Sequence, residues 1–417
     1  MKNRRFMQDR SGNVALTTAL VAIILFAIGG ASVDFIRYTT LRGELQAATD
    51  SAVLAAAALS NKNSPTVVAE DYFDANFDRE RFKLDASDVD FDPVVVADTQ
   101  TLRTIEATAT ATMETHFIGI AGFLGTGGFD TLDAVVVSQA SDSSQNVEIA
   151  MVLDISVSMQ GQKITSLIDA ASNFVTTVYE DSRPNQTSVN VIPFSRNVNV
   201  EPIFEDFADP GTFTSPAVKP CVLYDHFGSD YNEGTLGILS AVDQDPALET
   251  GREACVSTPV FLNSEDEGAI RNAISGFSAG GRTDLHIGTA WGLKALSPDW
   301  RGDLGGDFND RPAEYSDETI KALIMMSDGQ VNPIPDVNGN RDTPLAEQQI
   351  RDMCDTARDN NIFVYTIGFQ ITDGSAADLL LEDCASSLSQ YYFVETVDLE
   401  SAFQGIAASI AKVRVTQ

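Results

Sequence analysis

The chain has 417 residues, which is long enough for two or three domains with sizeable hydrophobic cores. It carries 60 acidic and 27 basic residues, and its formal net charge of −33 argues against nucleic acid or an anionic lipid surface as a partner. Four cysteines without a C-x-x-C spacing, and three histidines far apart in sequence, give little support to a zinc site.

A long uncharged run near the amino terminus predicts a membrane-spanning helix. Residues 11–33 contain no charged side chain and are enough to cross a bilayer as one helix. Because basic residues precede this run, residues 1–12 are expected to stay in the cytoplasm, residues 13–36 to form a transmembrane helix, and the remainder to be exported. The alternative is a cleaved secretory signal, but this run is longer than the apolar region of such signals.

Residues 37–145 predict a helical extension and then a small α+β module. The membrane helix is expected to continue to Leu59, because this stretch is rich in alanine and has no proline before Pro65. Thr or Glu alternates with Ala or Ile over residues 104–113, which is typical of a half-buried antiparallel strand. A serine-rich stretch at 138–146 marks the end of the module. Its expected elements are a helix at 67–77 and strands at 91–96, 102–112 and 132–138.

The motif that organises the rest of the chain follows this module. After Glu148, an apolar run over residues 149–153 stops at Asp154, which is followed by Ser156 and Ser158. Such a run is typical of a central parallel strand covered on both faces, and open α/β sheets bind ligands at the carboxyl ends of these strands. One carboxylate and two hydroxyl oxygens are hard ligands that suit Mg²⁺, Mn²⁺ or Ca²⁺. The motif therefore predicts a cation-binding loop.

Two later loops complete a family resemblance. The D-x-S-x-S loop, with Gly280-Gly-Arg-Thr-Asp284 and Ser327-Asp-Gly329, resembles the von Willebrand factor A domain and its metal-ion-dependent adhesion site. The resemblance implies that residues 146–417 form a doubly wound, mainly parallel α/β sheet. It implies one divalent cation, Mg²⁺ first with Mn²⁺ or Ca²⁺ as alternatives, and a protein partner whose acidic side chain completes the ligand shell. The implied ligands are Asp154, Ser156, Ser158, Thr283 and Asp328.

The remainder of this domain shows alternating strand and helix patterns, as a doubly wound fold requires. Polar stretches at 197–265 and 299–317 show no such pattern and are interpreted as insertions. The expected helices lie at 163–179, 266–275, 286–296, 345–359, 376–381 and 399–412, and the expected strands at 189–194, 320–326, 363–369 and 391–394.

The cysteines fit an exported location. Local pairing of Cys221 with Cys255 and of Cys354 with Cys384 is the simplest of three connectivities. A separate stretch, residues 336–347, has oxygen-bearing side chains at the spacing of a calcium loop. Arg341 stands where such loops need glycine, so an exposed turn is the favoured alternative.

Both ends of the chain show a second resemblance. Residues 10–16 and the alanine-rich stretch 45–57 resemble the amino-terminal module of Tad (tight adherence) pilus-assembly proteins. Short segments within 354–417 resemble the carboxyl end of TadG-type proteins. This implies a single-pass protein of the bacterial inner membrane, whose domains in the periplasm or at the cell surface contact other pilus-assembly components. Thr17 stands where type IV prepilins carry a glutamate, counted from Gly12, which argues against prepilin-type cleavage.

Together these features favour a non-enzymatic protein that binds a partner through its cation. The alternative is a structural protein of the envelope, in which the cation only stabilises three loops. A hydrolase is disfavoured, because no histidine lies close in sequence to Ser156 or Ser158 and a cation-bound hydroxyl already has a competing role.

Overall fold

The computed structural model divides the chain into two compact units, Met1–Ser143 and Ser144–Gln417. The structure describes residues 11–58, 64–99, 102–118, 130–143, 145–180, 182, 185–203, 221–222, 256–316, 318–329, 331–335 and 341–416.

The first unit packs one long helix on an antiparallel sheet. Helix α1 (Ser11–Ala57) is followed by α2 (Pro65–Asn76), the short α3 (Arg79–Phe82), and strands β1 (Val89–Asp98), β2 (Leu102–Glu114) and β3 (Thr131–Ser143). The strands pair in the order β1-β2-β3. The alternation predicted over 104–113 is present, because the Ala and Ile side chains of β2 are buried and pack on α1. These side chains are Ile105, Ala107, Ala109 and Ala111.

The predicted strand at 132–138 is too short. Strand β3 runs through the serine-rich stretch to Ser143, which pairs with Leu102 of β2. These residues are polar because alternate side chains of β3 face solvent. A polar composition at a strand end therefore does not mark a loop when every second position is exposed.

The second unit is a doubly wound α/β domain, which confirms the fold class. Among the described residues its sheet has eight strands, which are β4 (Asn146–Asp154), β5 (Thr187–Phe194), β6 (Val198–Asn199), β7 (Cys221–Val222), β8 (Phe261–Ser264), β9 (Thr319–Ser327), β12 (Ile362–Phe369) and β13 (Tyr391–Val394). Their order is β13-β12-β9-β4-β5-β6-β7, with β8 paired to β5. The central strand β4 is parallel to β5 on one side and to β9 on the other. Strands β12 and β13 continue the parallel part of the sheet.

Helices cover both faces of this sheet. On one face β4 contributes Ile149 and Met151, which pack with α4 (Gln162–Glu180), α5 (Glu267–Ser275) and α9 (Glu400–Thr416). On the other face Ala150 and Val152 pack with three further helices. These are α6 (Leu285–Lys294), α7 (Thr343–Asp359) and α8 (Ala376–Cys384). Burial of β4 on both faces explains why residues 149–153 are continuously apolar.

The two predicted insertions contribute to the sheet and the core. The described part of 197–265 forms the edge strands β6 (Val198–Asn199), β7 (Cys221–Val222) and β8 (Phe261–Ser264). The second stretch is less exposed than its polar composition predicts. Its apolar side chains Trp300, Leu304 and Phe308 are buried, and its backbone accepts hydrogen bonds from Asn263 of β8.

The disulfide predicted between Cys354 and Cys384 is present and joins α7 to α8. Cys221 is also in a disulfide, but its predicted partner Cys255 lies outside the described residues. Most of the predicted calcium loop, residues 336–340, lies outside them too. The flanking residues form two short paired strands, β10 (Ile334–Pro335) and β11 (Arg341–Asp342).

Candidate metal centre

Sheet topology brings two of the predicted loops to one edge. Strands β4 and β9 are parallel neighbours, and Leu153 of β4 pairs with Met326 of β9. Both strands end within the next residue, so Asp154 and Asp328 leave the sheet side by side. The third loop, residues 280–284, leads into α6, which packs on the same two strands.

The five predicted ligands form one hydrogen-bonded cluster. The Thr283 hydroxyl donates to Ser156 Oγ at 2.9 Å, the hydroxyls of Ser156 and Ser158 lie 2.8 Å apart, and Ser158 donates to Asp328 Oδ1 at 2.5 Å. Asp154 Oδ1 accepts the backbone N–H of Ser156 at 2.8 Å. The structure therefore brings together all five residues that the sequence predicts as ligands.

Backbone contacts hold the glycine-containing loop against the first loop. Gly280 N donates to the Ile155 carbonyl at 2.8 Å, and Val157 N donates to the Gly281 carbonyl at 3.1 Å. Gly281 has φ +80°, and a Cβ there would lie 2.5 Å from Ser195 Oγ. Glycine is required at this position for both reasons, and the close approach places Thr283 beside Ser156.

Further residues orient the ligands, and the sequence reasoning missed them. Ser327 donates its hydroxyl to Asp154 Oδ2 at 2.8 Å. The Asn332 side chain donates to the Thr283 carbonyl at 2.8 Å. Ser327 directly precedes Asp328 in the Ser-Asp-Gly motif, and this position was the sequence signal that could have identified it. Nothing in the local pattern points to Asn332.

Burial makes the charge of Asp154 unfavourable in the absence of a cation. The carboxyl is fully buried, and burial, followed by the charge of Asp328, raises the pKa of Asp154 from its ordinary 3.8 to about 6, against hydrogen bonds from Ser156 and Ser327. A folded-state pKa above the unfolded value means that the metal-free protein loses stability as the pH rises through about 6. A bound cation would favour the ionised form and offset this loss.

A lysine supplies positive charge to the second carboxylate. Lys163 Nζ lies 2.5 Å from Asp328 Oδ2 and 5.6 Å from the centre of the Phe369 ring. Lys163 is in the first turn of α4, where the helix dipole disfavours a cation. That unfavourable position was the available sequence signal for a carboxylate partner of Lys163, which the helical pattern marks only as the start of a helix.

The donor set fits a hard divalent cation. It offers two carboxylates and three hydroxyls, all oxygen donors, which suit Mg²⁺, Mn²⁺ or Ca²⁺ better than Zn²⁺. Within the described ranges no group of three or more His, Cys, Asp or Glu side chains could hold a metal. Such a group is not required here, because hydroxyls supply most of the donors.

Replacing Lys163 by methionine should strengthen Mg²⁺ binding. The ammonium occupies one oxygen of Asp328, so a cation that uses this carboxylate has to compete with it. We expect the affinity to rise about tenfold, or about 1.4 kcal/mol, while the metal-free protein becomes less stable. Titration calorimetry with Mg²⁺ measures this change. Lys163→Arg, which keeps the charge, is the control, and unchanged affinity in Lys163→Met would contradict the competition.

The histidines that the structure describes make no hydrogen bond to the serines of the cluster. His286, which follows the Thr283 loop, is buried, and burial lowers its pKa to about 4 against an opposing influence of Gln349. It is therefore neutral near pH 7.

Comparisons with known proteins agree with the predicted resemblance at the amino terminus. Residues 12–59 match the family model described as putative Flp pilus-assembly TadE/G-like. The resemblance to Tad pilus-assembly proteins is thus confirmed for this segment, and it indicates a pilus-associated role. No curated protein matches the chain.

Three solved structures are similar at low identity. The pilus adhesin SpaC of Lactobacillus rhamnosus GG is 15% identical with a TM-score of 0.38, over 78% of this chain and 35% of that one. The von Willebrand factor domain of the type V pili tip protein Mfa5 of Porphyromonas gingivalis is 11% identical with a TM-score of 0.41, over 66% of this chain and 97% of that one. Proximal thread matrix protein 1 of the mussel byssus is 14% identical with a TM-score of 0.33, over 64% of this chain and 46% of that one.

This chain spans about a third of the length of the SpaC chain. Likenesses of this size carry no argument about function, and the fold follows from the sheet topology itself. The chain joins a TadE/G-like amino-terminal segment to a doubly wound α/β domain.

Proposed function

We propose that this protein is a non-enzymatic, cation-dependent protein-binding component of a Tad-type pilus assembly or adhesion system, anchored in the inner membrane. The observation that carries the proposal is the cluster of five oxygen-bearing side chains, from three separate loops, at the carboxyl edge of the parallel sheet. This edge is where open α/β sheets bind ligands.

The five residues of the cluster would act together as the ligands of the cation. The hydroxyls of Ser156, Ser158 and Thr283 and the carboxylates of Asp154 and Asp328 would hold the cation. Asp154 and Ser156 are buried, whereas Ser158 is exposed, so the cluster is reached from the Ser158 side. A bound divalent cation supplies a positive charge for an acidic side chain of a protein partner. The net negative charge of this chain disfavours an acidic partner, so the cation would be the recognition element.

Helix α1 supports the proposal of a membrane anchor. From Thr17 onward it contains an 18-residue segment with a mean hydropathy of 2.3, and only 13% of that segment is buried within the structure. Large apolar side chains on this part of the helix, such as Val21, Leu25 and Phe26, are exposed. An apolar surface of this kind is stable only when lipid or another protein covers it.

A structural role for the cation is the alternative, and one observation favours it. The same hydrogen bonds that gather the ligands also tie the three loops to each other. A cation that only strengthens this connection would raise stability without changing partner binding. The two functions therefore give different results in one experiment.

Binding to purified Tad pilus components tests the proposal. The full chain, held in lipid nanodiscs, is compared with Ser156→Ala by surface plasmon resonance in Mg²⁺ and in EDTA. We expect at least one component to bind in Mg²⁺, and its affinity to fall about 100-fold in EDTA and in Ser156→Ala. Ser389→Ala, an exposed serine away from the cluster, is the matched control.

Two outcomes would contradict cation-dependent recognition. Binding that persists in EDTA and in Ser156→Ala, together with a lower unfolding temperature in EDTA, would establish the structural alternative. Hydrolysis of ester substrates that requires Ser156 but no metal would instead establish an enzyme.

A further inference from the structure

Helix α1 carries a buried carboxylate within the run that the sequence predicts to span the membrane. Asp34 has a relative exposure of 0%, although its neighbours Val33 and Phe35 are exposed. A buried carboxylate needs several hydrogen bonds to be tolerated. Its surroundings therefore show where the protein, rather than lipid, covers α1.

The backbone after strand β2 supplies these bonds. The N–H groups of His116, Phe117 and Ile118 donate to the Asp34 carboxylate at 3.1, 2.7 and 2.8 Å. Arg37, one turn further along α1, lies 3.7 Å from Asp34 and donates to the Glu114 carbonyl at 3.3 Å. Residues 114–118 are thus fixed to one turn of α1.

This attachment lays an aromatic side chain across the helix. A Cβ at Gly30 would lie 2.6 Å from the Phe117 side chain, so the absence of a side chain at Gly30 makes room for it. Gly30 precedes Asp34 by about one helical turn, and Phe117 therefore projects toward the amino-terminal end of α1. The Phe117 side chain is nevertheless 45% exposed.

The length of α1 before Gly30 matches the thickness of a bilayer. From Ser11 to Gly29 the helix spans about 28 Å at roughly 1.5 Å per residue, and the hydrocarbon core of a bilayer is about 30 Å thick. Beyond Gly30 the protein's own backbone covers one side of the helix. The predicted span of 13–36 thus extends past the turn at which residues 114–118 are attached.

We propose that Phe117 is an interfacial lipid contact, held by Asp34 at the exported surface of the membrane. The exposed side chains of Val33, Phe35 and Ile36 lie on the neighbouring turns of α1 and extend the same apolar collar. Aromatic side chains favour the boundary between headgroups and acyl chains. The partner is the bilayer itself, and the contact is apolar, as the negative charge of the chain requires. This inference rests on the proposed membrane anchor.

Tryptophan quenching by brominated lipids tests the proposal. The full chain is reconstituted in phosphatidylcholine vesicles whose acyl chains carry bromine at either a shallow or a deep position. Phe117→Trp is compared with Phe26→Trp, on the uncovered helix, and with Leu54→Trp, which is 63% exposed on the same helix and about 36 Å beyond Gly30. Fluorescence of the parent chain, whose Trp291 and Trp300 are buried, is subtracted.

We expect Phe117→Trp to be quenched more strongly by shallow than by deep bromines, Phe26→Trp to be quenched, and Leu54→Trp to be unaffected. Adding Asp34→Ala to Phe117→Trp should reduce its quenching by about half or more while leaving that of Phe26→Trp unchanged, because Asp34 positions the aromatic ring. Circular dichroism verifies that Asp34→Ala is folded.

The outcomes separate this inference from the anchor. Quenching of Phe26→Trp without quenching of Phe117→Trp would overturn the lipid contact and leave the anchor standing. Absence of quenching in both would overturn the anchor as well, and a protein would then cover α1. Quenching of Leu54→Trp would overturn the proposed boundary.

Discussion

Replacing Lys321 by methionine should lower the free energy of unfolding by about 3–5 kcal/mol. Lys321 Nζ lies 2.6 Å from Glu148 Oε2 and donates to the Leu296 carbonyl at 2.8 Å. The two side chains are only 2% and 1% exposed. The other carboxylate oxygen of Glu148 accepts the Ala313 N–H. Methionine fills the space of the lysine stem but leaves a buried carboxylate without its cation.

This ion pair also bears on the candidate site. Glu148 and Lys321 are register partners on β4 and β9, the two strands that end at Asp154 and Asp328. A shift of one residue would place these charges among apolar side chains and would separate the two carboxylates at the sheet edge. The pair therefore favours the register that the site requires.

Chemical denaturation of the full chain in detergent measures the decrease in the free energy of unfolding of Lys321→Met. Glu148→Gln added to Lys321→Met should recover most of it, because neither member of this pair is then charged. Arg271→Met is the control, since Arg271 and its partner Glu267 are both exposed and should contribute about 0.5 kcal/mol or less. If Lys321→Met lowered the free energy of unfolding by less than about 1 kcal/mol, that would contradict a buried Lys321–Glu148 ion pair from which water is excluded.

Replacing Asp154 by asparagine should weaken Mg²⁺ binding by about 100-fold, or about 2.7 kcal/mol. Asparagine keeps the shape of the side chain and one acceptor oxygen, so the hydrogen bond from Ser156 or that from Ser327 can persist. What is lost is the buried negative charge that a cation would balance. The response of the unfolding temperature to Mg²⁺ should disappear with it.

The same substitution should stabilise the metal-free protein. Burial raises the pKa of Asp154 to about 6, so near pH 7 the folded state holds a carboxylate whose ionisation costs stability. Asparagine removes this cost, which is on the order of 1–3 kcal/mol. In wild type the metal-free stability should fall as the pH rises through about 6, and in Asp154→Asn this part of the fall should be absent. Thermal unfolding in EDTA across this pH range measures both effects.

If Asp154→Asn instead disrupted the structure in general, the variant would be less stable than wild type in EDTA and not more stable. Ser389→Ala, whose side chain is exposed, should behave as wild type with and without Mg²⁺. An unchanged response to Mg²⁺ in Asp154→Asn would remove this carboxylate from the cation site.

The sheet was predictable because its sequence signals are local, whereas the five candidate ligands were implied by the resemblance to the von Willebrand factor A domain. The apolar run of β4 is buried on both faces and ends at Asp154, and the apolar run of β9 ends next to Asp328. Parallel neighbouring strands then necessarily bring the two carboxylates to one edge. The strength of the prediction lies in the order of these runs and loops.

Other features depend on tertiary contacts that no local pattern encodes. Residues 299–317 are polar in composition, yet Trp300, Leu304 and Phe308 are buried because this stretch folds onto β8. The pairing of Lys163 with Asp328 joins residues that are 165 positions apart in sequence. Asp34 looks like an interruption of a membrane helix until the backbone of residues 116–118 is placed over it.

The central claim is that the three loops bind one divalent cation. Titration calorimetry of the full wild-type chain with Mg²⁺, in nanodiscs at about pH 7.5 where Asp154 is ionised, tests this most directly. We predict saturable binding of one ion per chain, and an unfolding free energy that rises by about 2.7 kcal/mol when free Mg²⁺ is about 100 times its Kd. Absence of binding and of stabilisation with Mg²⁺, Mn²⁺ and Ca²⁺ would contradict the claim, because the cluster would then be held together by its hydrogen bonds and Lys163 alone.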